Sequence, residues 1–474
     1  MNALYNNQES KELKNYRLQF FISQRLKRGN LMNVLLPMLL QLLTQQFIWA
    51  QEVRTLTLAE AKELAVKQNR LLGIAREKVN ENEQKVTEAR SRQFPLIYAT
   101  GGYVYNGVTQ DVVLPQGALA YNSANGIVVP QADFPLLQSR HNLVTGNVLA
   151  LQPISQLGKI RTGVKVAQSD VEIAKTQVSK AEQDVRQGVE KLYFGMLIAQ
   201  KQQEEAQLNI KLSDTRLYDV ESALLAGKTD ITNKVGLQAD RANQEQRLLQ
   251  IQNQLEDYTY DLHEALGLPQ TMRLQLAALP KSAINLQPLE SYAQQAQNQN
   301  IDVQLANQNI QKAEYGVAAA RRDYIPNISA VGGYTHQSVI TILPQDNYFV
   351  GLQGNWNIID FGRRRSVLNQ RRSLRQQAEE NLQYIREQAL GRVEKAYRKV
   401  NQAQALVTVA QKAVQYRSDE LKLKNDRRAA GLNLPRDVME TQAVLAKAEA
   451  DLFSAQLNYR LALSELEAAA GILE

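Results

Sequence analysis

The sequence predicts a mainly α-helical fold with a small β part, built from two copies of one unit. Three observations predict it: two long stretches without proline, an internal repeat, and short segments of alternating polarity between the helical segments. The proline-free stretches run from Pro153 to Pro269 and from Pro344 to Pro435, and both are rich in helix-favouring residues. At 474 residues, the chain is long enough for one large architecture or for two or three ordinary domains.

The N-terminal segment 1–50 has the features of an extension followed by a secretory signal peptide. Its apolar part, 31–50, follows a basic run and ends with Ile48 and Ala50 at suitable cleavage positions. We therefore expect cleavage after Ala50 and export of the rest of the chain. An uncleaved N-terminal membrane anchor is the alternative, and Met32 is a second possible translation start.

Charge and cysteine content exclude several classes of protein. The formal net charge is +7, but +4 of it lies in the first fifty residues, so the body gives no electrostatic reason to expect nucleic acid. Cysteine is absent, which excludes disulfides and thiolate metal sites. The three histidines, His141, His263 and His336, are far apart, and no phosphate loop, metal cluster or nucleophile elbow occurs. We expect no enzymatic activity, no cofactor and no metal.

The internal repeat has two offsets. Ala65–Tyr103 aligns with Ala296–Tyr334 at an offset of 231 positions, and from Gly158 and Gly362 onward the offset is 204. The first copy therefore carries 27 extra residues between the two aligned blocks, and we expect residues 105–141 to form an external loop. The predicted division of the rest of the chain is a first repeat at 51–270, a linker at 271–288 and a second repeat at 289–474.

Each copy is predicted to contain, in order, a helix, a strand pair, a very long helix, a turn and a last helix. The helices are expected at 57–93, 158–226 and 229–266 in the first copy and at 289–324, 362–430 and 436–470 in the second. The strands are expected near 96–106, 142–152, 327–337 and 348–358. At ~1.5 Å per residue the long helices span about 100 Å, so two shorter helices end to end cover one long helix.

The long helices carry a coiled-coil seam. Apolar residues in the first one recur at alternating spacings of three and four: Val164, Ala167, Val171, Ala174, Val178, Ala181, Val185, Gly188, Leu192, Gly195 and Ala199. The second long helix nearly repeats the pattern from Leu382 to Ala410. A simple soluble coiled coil is the alternative for these segments taken alone.

The predicted strands favour a membrane protein over a simple soluble coiled coil. From Val350 to Ile358 apolar or Gly positions alternate with polar ones, as a transmembrane β-strand requires, although a soluble hairpin with one buried face shows the same alternation. Four strands cannot close a membrane barrel, because an open edge in lipid leaves backbone groups unpaired. The chain must therefore oligomerise if its strands span a membrane, and three or more copies leave a lumen. Residues suited to an interfacial aromatic girdle, with ordinary strand packing as the alternative, are Tyr98, Tyr103, Tyr105, Tyr334, Tyr348 and Trp356.

Four short motifs stand in a fixed order and spacing along the chain. They are Glu88-Ala89-Arg90 with Phe94-Pro95 and its echo Ala320-Arg321-Arg322 with Ile325-Pro326, the strand-to-helix joints Leu157-Gly158-Lys159 and Ile359–Arg363, the turns Ala226-Gly227-Lys228 and Ala430-Gly431-Leu432, and the closing segment Leu463–Gly471. In these motifs the chain resembles the TolC-like outer membrane efflux family over nearly all of its length after residue 51. The resemblance implies a homotrimer whose strands form one twelve-stranded barrel, continued by an α-helical coiled-coil tunnel. It also implies docking on a periplasmic adaptor (membrane fusion) protein and an inner-membrane transporter.

The function that the resemblance implies is a passive outer-membrane channel of a tripartite efflux or secretion system. Such a channel sits in outer-membrane lipid, extends into the periplasm and exports substrates such as drugs. The alternative function is an exported coiled-coil structural or membrane-surface protein without a pore.

The resemblance places the adaptor-docking tip at the turns after the long helices, which here are Gly227, Lys228, Gly431 and Leu432. Glycine at these positions is also an ordinary helix stop. The first turn departs from the family pattern, since Asn233 and Lys234 stand where an acidic and an apolar residue are common.

Asp437 and Glu440 are the predicted periplasmic gate. They lie three residues apart on one helix face, so that in a trimer they would form carboxylate rings that close the tunnel and favour cations. Simple N-terminal capping by Asp437 is the alternative. For the basic run Arg363-Arg364-Arg365, the alternatives are a solvated face and contact with lipid headgroups or helix carboxylates.

Overall fold

The computed structural model describes residues 53–122, 124, 126–137, 140–278, 286–338 and 343–472. The predicted signal segment 1–50 and part of the predicted linker 271–288 lie outside the described residues. The chain divides into two compact units, and the described residues of the smaller one are 53–56 and Pro269–Gln275. The larger unit contains Thr57–Leu268 and the chain from Leu276 onward.

The helices and the four longest strands follow the order that the repeat predicts, and six short strands among the described residues are additional. The strands are β1 (Val53–Leu56), β2 (Leu96–Tyr105), β3 (Val112–Leu114), β4 (Ala120–Asn122), β5 (Ile127–Val129), β6 (Phe134–Leu137), β7 (Asn142–Pro153), β8 (Arg273–Leu276), β9 (Asn327–Gln337) and β10 (Asp346–Asn355). The helices are α1 (Leu58–Gln68), α2 (Arg70–Ser91), α3 (Leu157–Leu225), α4 (Ile231–Leu266), α5 (Leu289–Gln299), α6 (Ile301–Arg322), α7 (Arg363–Ala429) and α8 (Pro435–Ala470). The long helices α3 and α7 have 69 and 67 residues, so each is about 100 Å long.

The first helix of each copy is interrupted, contrary to the single helices expected at 57–93 and 289–324. Asn69 separates α1 from α2, and Asn300 separates α5 from α6. Both asparagines have extended backbone angles, and each side-chain oxygen accepts hydrogen bonds from the first backbone N–H groups of the next helix. Asparagine is a strong N-cap because its side chain replaces the missing backbone acceptor. The apolar pattern continues across the break, and for this reason periodicity did not reveal it.

The coiled-coil seam of the long helices packs against the shorter helices of the same copy. In the first copy, Val164 and Val171 of α3 form a buried cluster with Val86 of α2. In the second copy, Leu382 and Ala389 of α7 form the matching cluster with α6. Further along, the seam of α7 packs against α5 and α8 in a cluster whose buried members are Tyr292, Ala296, Val393, Val400, Ala403, Ala462, Leu466 and Ala470.

The main sheet of the larger unit has the strand order β10-β9-β7-β2, and all neighbours are antiparallel. Its two hairpins match in register: Tyr103 pairs with Val144 in the first copy, and Tyr334 pairs with Tyr348 in the second. The expected loop 105–141 contains two small two-stranded sheets, β3 with β6 and β4 with β5. In the smaller unit β1 pairs with β8.

Candidate functional site

One face of the four-stranded sheet is apolar. Strand register places Tyr348, Tyr334, Val148 and Ala99 in one row across the sheet, so their side chains share a face. The next row on this face contains Val350, Gly332, Ala150 and Ile97, and the row after it contains Leu352, Ala330 and Gln152. The row on the other side, next to the connecting loops, contains Asp346, His336, Gly146 and Gly101, so the face is apolar apart from a few polar residues at its ends. Several of these side chains are open to solvent in the single chain, Val350 at 88% and Leu352 at 74% of their area. A large exposed apolar surface of this kind marks contact with lipid or protein.

The opposite face of the sheet carries many more polar side chains. Thr100 lies opposite Asn147, which lies opposite Thr335 on the next strand. The Asn147 amide donates a hydrogen bond to the Thr100 hydroxyl at 3.4 Å. One apolar and one polar face is the pattern of strands that separate lipid from water.

Both outer strands of this sheet are exposed along their whole length. Every residue of β2 and of β10 is exposed, and each of these strands has one sheet neighbour among the residues that the structure describes. An unprotected edge presents a row of backbone N–H and C=O groups that can pair with another strand. The sheet therefore offers one open edge at each side.

The structure divides the predicted aromatic girdle. Tyr103, Tyr334 and Tyr348 lie on the apolar face, in the half of the sheet next to the connecting loops. The rings of Tyr334 and Tyr348 are 5.2 Å apart. Tyr98 pairs with Leu149 and by alternation lies on the opposite face, and Trp356 follows the end of β10. Tyr105 lies two residues after Tyr103 on β2 and therefore shares its face.

Polar contacts join the sheet to the helices. The Ser155 hydroxyl donates to the backbone oxygen of Pro326 at 2.6 Å and accepts from the backbone N–H of Ile328 at 2.7 Å. Lys159 at the start of α3 forms an ion pair with Asp323 at the end of α6. These contacts connect the first repeat to the second.

The arginine run at the start of α7 is only partly solvated. Arg364 forms an ion pair with Asp360 at 2.6 Å and lies over the ring of Tyr324, with its guanidinium carbon 5.3 Å from the ring centroid. Burial raises the pKa of Asp360, but hydrogen bonds from Arg364 outweigh it and hold the pKa below its ordinary range. Arg363 and Arg365 are exposed. The spacing of four between Asp360 and Arg364 was the available signal for this pair.

The two turns after the long helices have the same backbone structure. Gly227 and Gly431 have φ angles of +66° and +76°, in the left-handed region that favours glycine. The residue after each glycine donates a backbone hydrogen bond to the preceding helix, Lys228 to Ala223 and Leu432 to Arg427, both at 2.9 Å. A Cβ atom at either glycine would meet no atom within 4 Å. Both turns therefore leave free space around their tips.

The helices leaving the two turns begin differently. In the first copy Asp230 caps α4 by accepting from the N–H of Asn233, and Lys234 forms an ion pair with Glu221 of α3 at 2.9 Å. In the second copy Pro435 opens α8, and Leu432 at the turn is 69% exposed. The second turn has Leu432 and Leu434 where the first has Lys228 and Asp230. The first turn is instead flanked by Leu225 and Ile231, which are 92% and 59% exposed.

The structure gives each predicted gate residue a partner within the chain. The Asp437 carboxylate accepts a hydrogen bond from the backbone N–H of Leu434 at 3.1 Å, so it does cap α8. Glu440 accepts from the Arg216 guanidinium of α3 at 2.9 Å. Beside this bond, Thr215 contacts the sulfur of Met439 at 3.1 Å. Sequence analysis missed Arg216, because 224 positions separate it from Glu440 and no local pattern connects them.

The described residues lack two features. No helix there combines the length and the apolar character needed to cross a membrane. Groups of three or more His, Cys, Asp or Glu able to hold a metal ion are likewise absent from the residues described.

The chain joins a duplicated array of long helices to a sheet with one largely apolar face, the arrangement expected of an outer-membrane channel subunit. The sequence profile described as outer membrane efflux protein matches residues 62–268 and 292–472. The chain belongs to this outer membrane efflux protein family. This confirms the predicted fold class, mainly helical with a small sheet part and an internal repeat, and the predicted family.

Solved structures share the fold. The CmeC outer membrane channel of Campylobacter jejuni matches with a TM-score of 0.69 and 14% identity, over 90% of this chain and 90% of its own. The outer membrane protein VceC of Vibrio cholerae matches at 0.65 and 16%, over 87% of this chain and 96% of its own. The MtrE outer membrane channel of Neisseria gonorrhoeae in its open state matches at 0.65 and 16%, over 87% and 88%. No curated protein sequence gives a significant match.

Proposed function

We propose that this chain is the outer-membrane duct of a tripartite efflux or secretion system, carrying substrates passively from an inner-membrane transporter and its periplasmic adaptor across the outer membrane. The observation that carries the proposal is the four-stranded sheet, which has one apolar face and two open edges at the end of helices about 100 Å long. A sheet of this kind is stable in lipid only when its edges are paired.

Three copies of the chain would satisfy those edges. Strand β10 of one copy pairs with β2 of the next, and twelve strands enclose a lumen wider than side chains can fill. The apolar face then contacts outer-membrane lipid, with Tyr103, Tyr334 and Tyr348 at one interface. The helices extend from the sheet into the periplasm as a tunnel. The division of the chain at 51–270, 271–288 and 289–474 describes its two contributions to this tunnel.

The tips and the gate lie at the far end of the long helices from the sheet. The turns at Gly227-Lys228 and Gly431-Leu432 dock on the adaptor, and the second turn offers it Leu432 and Leu434, which are 69% and 57% exposed. Asp437 and Glu440 of three copies form two rings of carboxylates at the narrow end of the tunnel. These rings repel one another less when Arg216 neutralises Glu440, so the Arg216 pair favours the closed state.

The duct is tested by isolating the full chain from outer-membrane fractions in mild detergent. We expect trimers by native mass spectrometry and discrete conductance steps in planar lipid bilayers. A monomeric protein in the periplasmic fraction, with no conductance, would instead support a coiled-coil structural protein without a pore.

Adaptor docking needs a separate experiment. A photo-crosslinking amino acid at Leu432 should capture a periplasmic adaptor that co-purifies with an inner-membrane transporter. The same group at Leu406, which is exposed in the middle of α7, is the matched control and should capture much less. Equal capture at the two positions would contradict docking at the tip.

A further inference from the structure

We propose that an uncharged apolar belt on the inner face of the sheet binds the apolar part of neutral, amphipathic small molecules as they pass through the barrel. The proposal rests on the proposed function, because only a closed barrel turns this face of the sheet toward a lumen. The residues of the inner belt are Leu96, Tyr98, Leu149, Leu151, Val331 and Phe349.

The inner face of the sheet carries no charge. It lies opposite to the face of Tyr334 and Tyr348 and consists of every second residue of the four strands. Among the residues of β2, β7, β9 and β10, all of which the structure describes, no Asp, Glu, Lys, Arg or His lies on this face. Charged residues make up 22% of the whole chain, so their absence is a local property of this face. His336 and Asp346 lie on the other face.

Polar side chains form a band on each side of the belt. The band toward the connecting loops is two rows deep and contains Gln337, Thr145, Gly102, Asn347, Thr335, Asn147 and Thr100. The band toward the helices contains Gln353, Ser329, Pro153, Asn355 and Asn327. The outermost pair next to the loops, Val104 with Leu143, is again apolar.

The belt occupies the two adjacent rows between these bands. The rows are Phe349, Gly333, Leu149 and Tyr98, then Gly351, Val331, Leu151 and Leu96. A Cβ atom at Gly333 would lie 2.8 Å from Cδ2 of Leu149 and 3.3 Å from Cζ of Phe349. These two side chains therefore lean over Gly333 from the neighbouring strands, and the apolar surface continues across the sheet.

The belt is accessible from the inner side. In the single chain Leu96 is 62%, Tyr98 43% and Phe349 37% exposed. Pairing of the sheet edges covers the sides of β2 and β10 but leaves their inner faces open. Twelve strands enclose a lumen wider than side chains can fill, so the belts of different chains do not cover one another across it. The apolar surface therefore meets either water or cargo.

The chemistry of the belt determines which ligand it favours. An apolar group that moves from water to the belt gains free energy, because both surfaces lose contact with water. A charged group loses hydration beside the apolar wall and finds no opposite charge on the inner face. The rings of Tyr98 and Phe349 suit an aromatic group. The amides and hydroxyls of the two bands offer hydrogen bonds to the polar parts of the same molecule.

Binding at the belt is weak enough for transport. The belt is an open wall, so it covers one side of a ligand and leaves the other side in water. A conducting pore needs sites that are favourable enough to enter and weak enough to leave. The belt therefore retards neutral cargo without trapping it.

Phenyl β-D-glucoside, an uncharged molecule with an aromatic ring and a sugar, is a suitable probe. Added to single channels in a planar bilayer on the side of the connecting loops, it should reduce the current in a saturable way. Glucose, which lacks the ring, should reduce the current much less at the same concentration. Benzoate and benzylammonium, which have the ring and a charge, should also reduce it much less. Equal saturable block by the charged probes would overturn the choice of a neutral cargo.

Substitutions in the belt test its position. Y98T/L149N/F349N extends the adjacent polar row, since Thr100, Asn147 and Asn347 hold the same positions one row away. We expect the concentration of phenyl β-D-glucoside for half-maximal block to rise about tenfold or more.

Two control variants should bind the probe like the unsubstituted channel. V104T/L143N makes the same kind of change on the same face, about 20 Å away along the strands. Y98F/F349Y keeps both aromatic rings of the belt. If Y98T/L149N/F349N forms no channels, F349N alone should raise the half-maximal concentration by a smaller factor.

The possible failures separate the belt from the duct. Normal trimers and conductance without saturable block by phenyl β-D-glucoside would overturn the belt and leave the proposed duct intact. Block that is unchanged in F349N and in the triple variant, or lost equally in V104T/L143N, would do the same. A chain that forms neither trimers nor channels would refute the proposed function, and the belt with it.

Discussion

The side-chain amide of Asn300 donates a hydrogen bond to the backbone oxygen of Ala469 at 2.9 Å, and Asn69 makes the equivalent bond to Ala265 at 3.1 Å. Each asparagine therefore caps the helix that follows it and also fixes the C-terminal turn of the last helix in its copy. Because both bonds recur in both repeats, the helix break is a regular feature of the repeat unit. We call each break, at Asn69 and at Asn300, a joint.

Replacing the joint asparagine should destabilise the chain. We expect N300A to lower the free energy of unfolding by about 2–3 kcal/mol, since it removes an N-cap and a largely buried hydrogen bond. Urea titration of the helical circular dichroism in detergent measures this. N309A, an exposed asparagine within α6, is the control and should change stability by less than about 0.5 kcal/mol. Equal effects would mean that the joint contributes little.

Replacing the glycine that packs against each joint should destabilise the chain more than replacing a glycine at a tip. Gly471 has φ +84°, and a Cβ there would lie 2.5 Å from the backbone carbon of Gln299. We expect G471A to cost about 2–5 kcal/mol, from left-handed strain and from the clash. G431A, with φ +76° and open space, should cost about 1 kcal/mol from strain alone. The same urea titration compares them, and equal costs would rule out the clash.

The pKa of Asp302 should make part of the stability depend on pH. Burial raises this pKa, but hydrogen bonds from Lys180 and Arg392 outweigh burial and hold the pKa below its ordinary value. A lowered folded-state pKa stabilises the chain above the unfolded pKa of about 3.9, and this contribution disappears as pH falls through the folded pKa. D302N should therefore cost about 1–3 kcal/mol at pH 7.

The gap between D302N and the unsubstituted chain should shrink as pH falls below about 4, because a protonated aspartate no longer differs in charge from asparagine. D419N, an exposed aspartate on α7, is the control. A gap that stays constant between pH 7 and pH 3 would show that the charge of Asp302 does not contribute.

Neutralising the proposed gate should open the tunnel. We expect D437N/E440Q to raise the leak conductance of the isolated channel, because E440Q weakens the ion pair with Arg216 that favours the closed state. We also expect it to reduce the preference for cations, because the carboxylate rings lose their charge. D451N, exposed further along α8, should conduct like the unsubstituted channel. Unchanged conductance and selectivity in the double variant would refute the gate.

The fluorescence of Trp356 should show that the end of β10 lies at the membrane interface. The chain has two tryptophans, and Trp49 lies in the segment predicted to be removed with the signal, so Trp356 would be the single tryptophan of the mature protein. Its fluorescence in reconstituted vesicles should be quenched strongly by lipids brominated near the headgroup and weakly by lipids brominated near the chain end. W356F should abolish the signal, and quenching by neither lipid would place the end of β10 away from the membrane.

The sequence predicted the elements that depend on local chemistry. The long helices lie within one residue of the expected bounds, since absence of proline and a seam with spacings of three and four both act within a few residues. Gly227 and Gly431 end those helices because the left-handed backbone there favours glycine. By contrast, the breaks at Asn69 and Asn300 were missed, since the cap interrupts the helix without interrupting the apolar pattern.

What the sequence by itself determined is the duplication, the helix and strand order, and the family to which the chain belongs. Only the tertiary structure decided that Tyr98 lies on the other face of the sheet from Tyr103, and that Arg216 holds Glu440. The physical reason is that helix and turn formation are governed by neighbours in the chain, whereas strand register and ion pairs between helices depend on how distant segments pack.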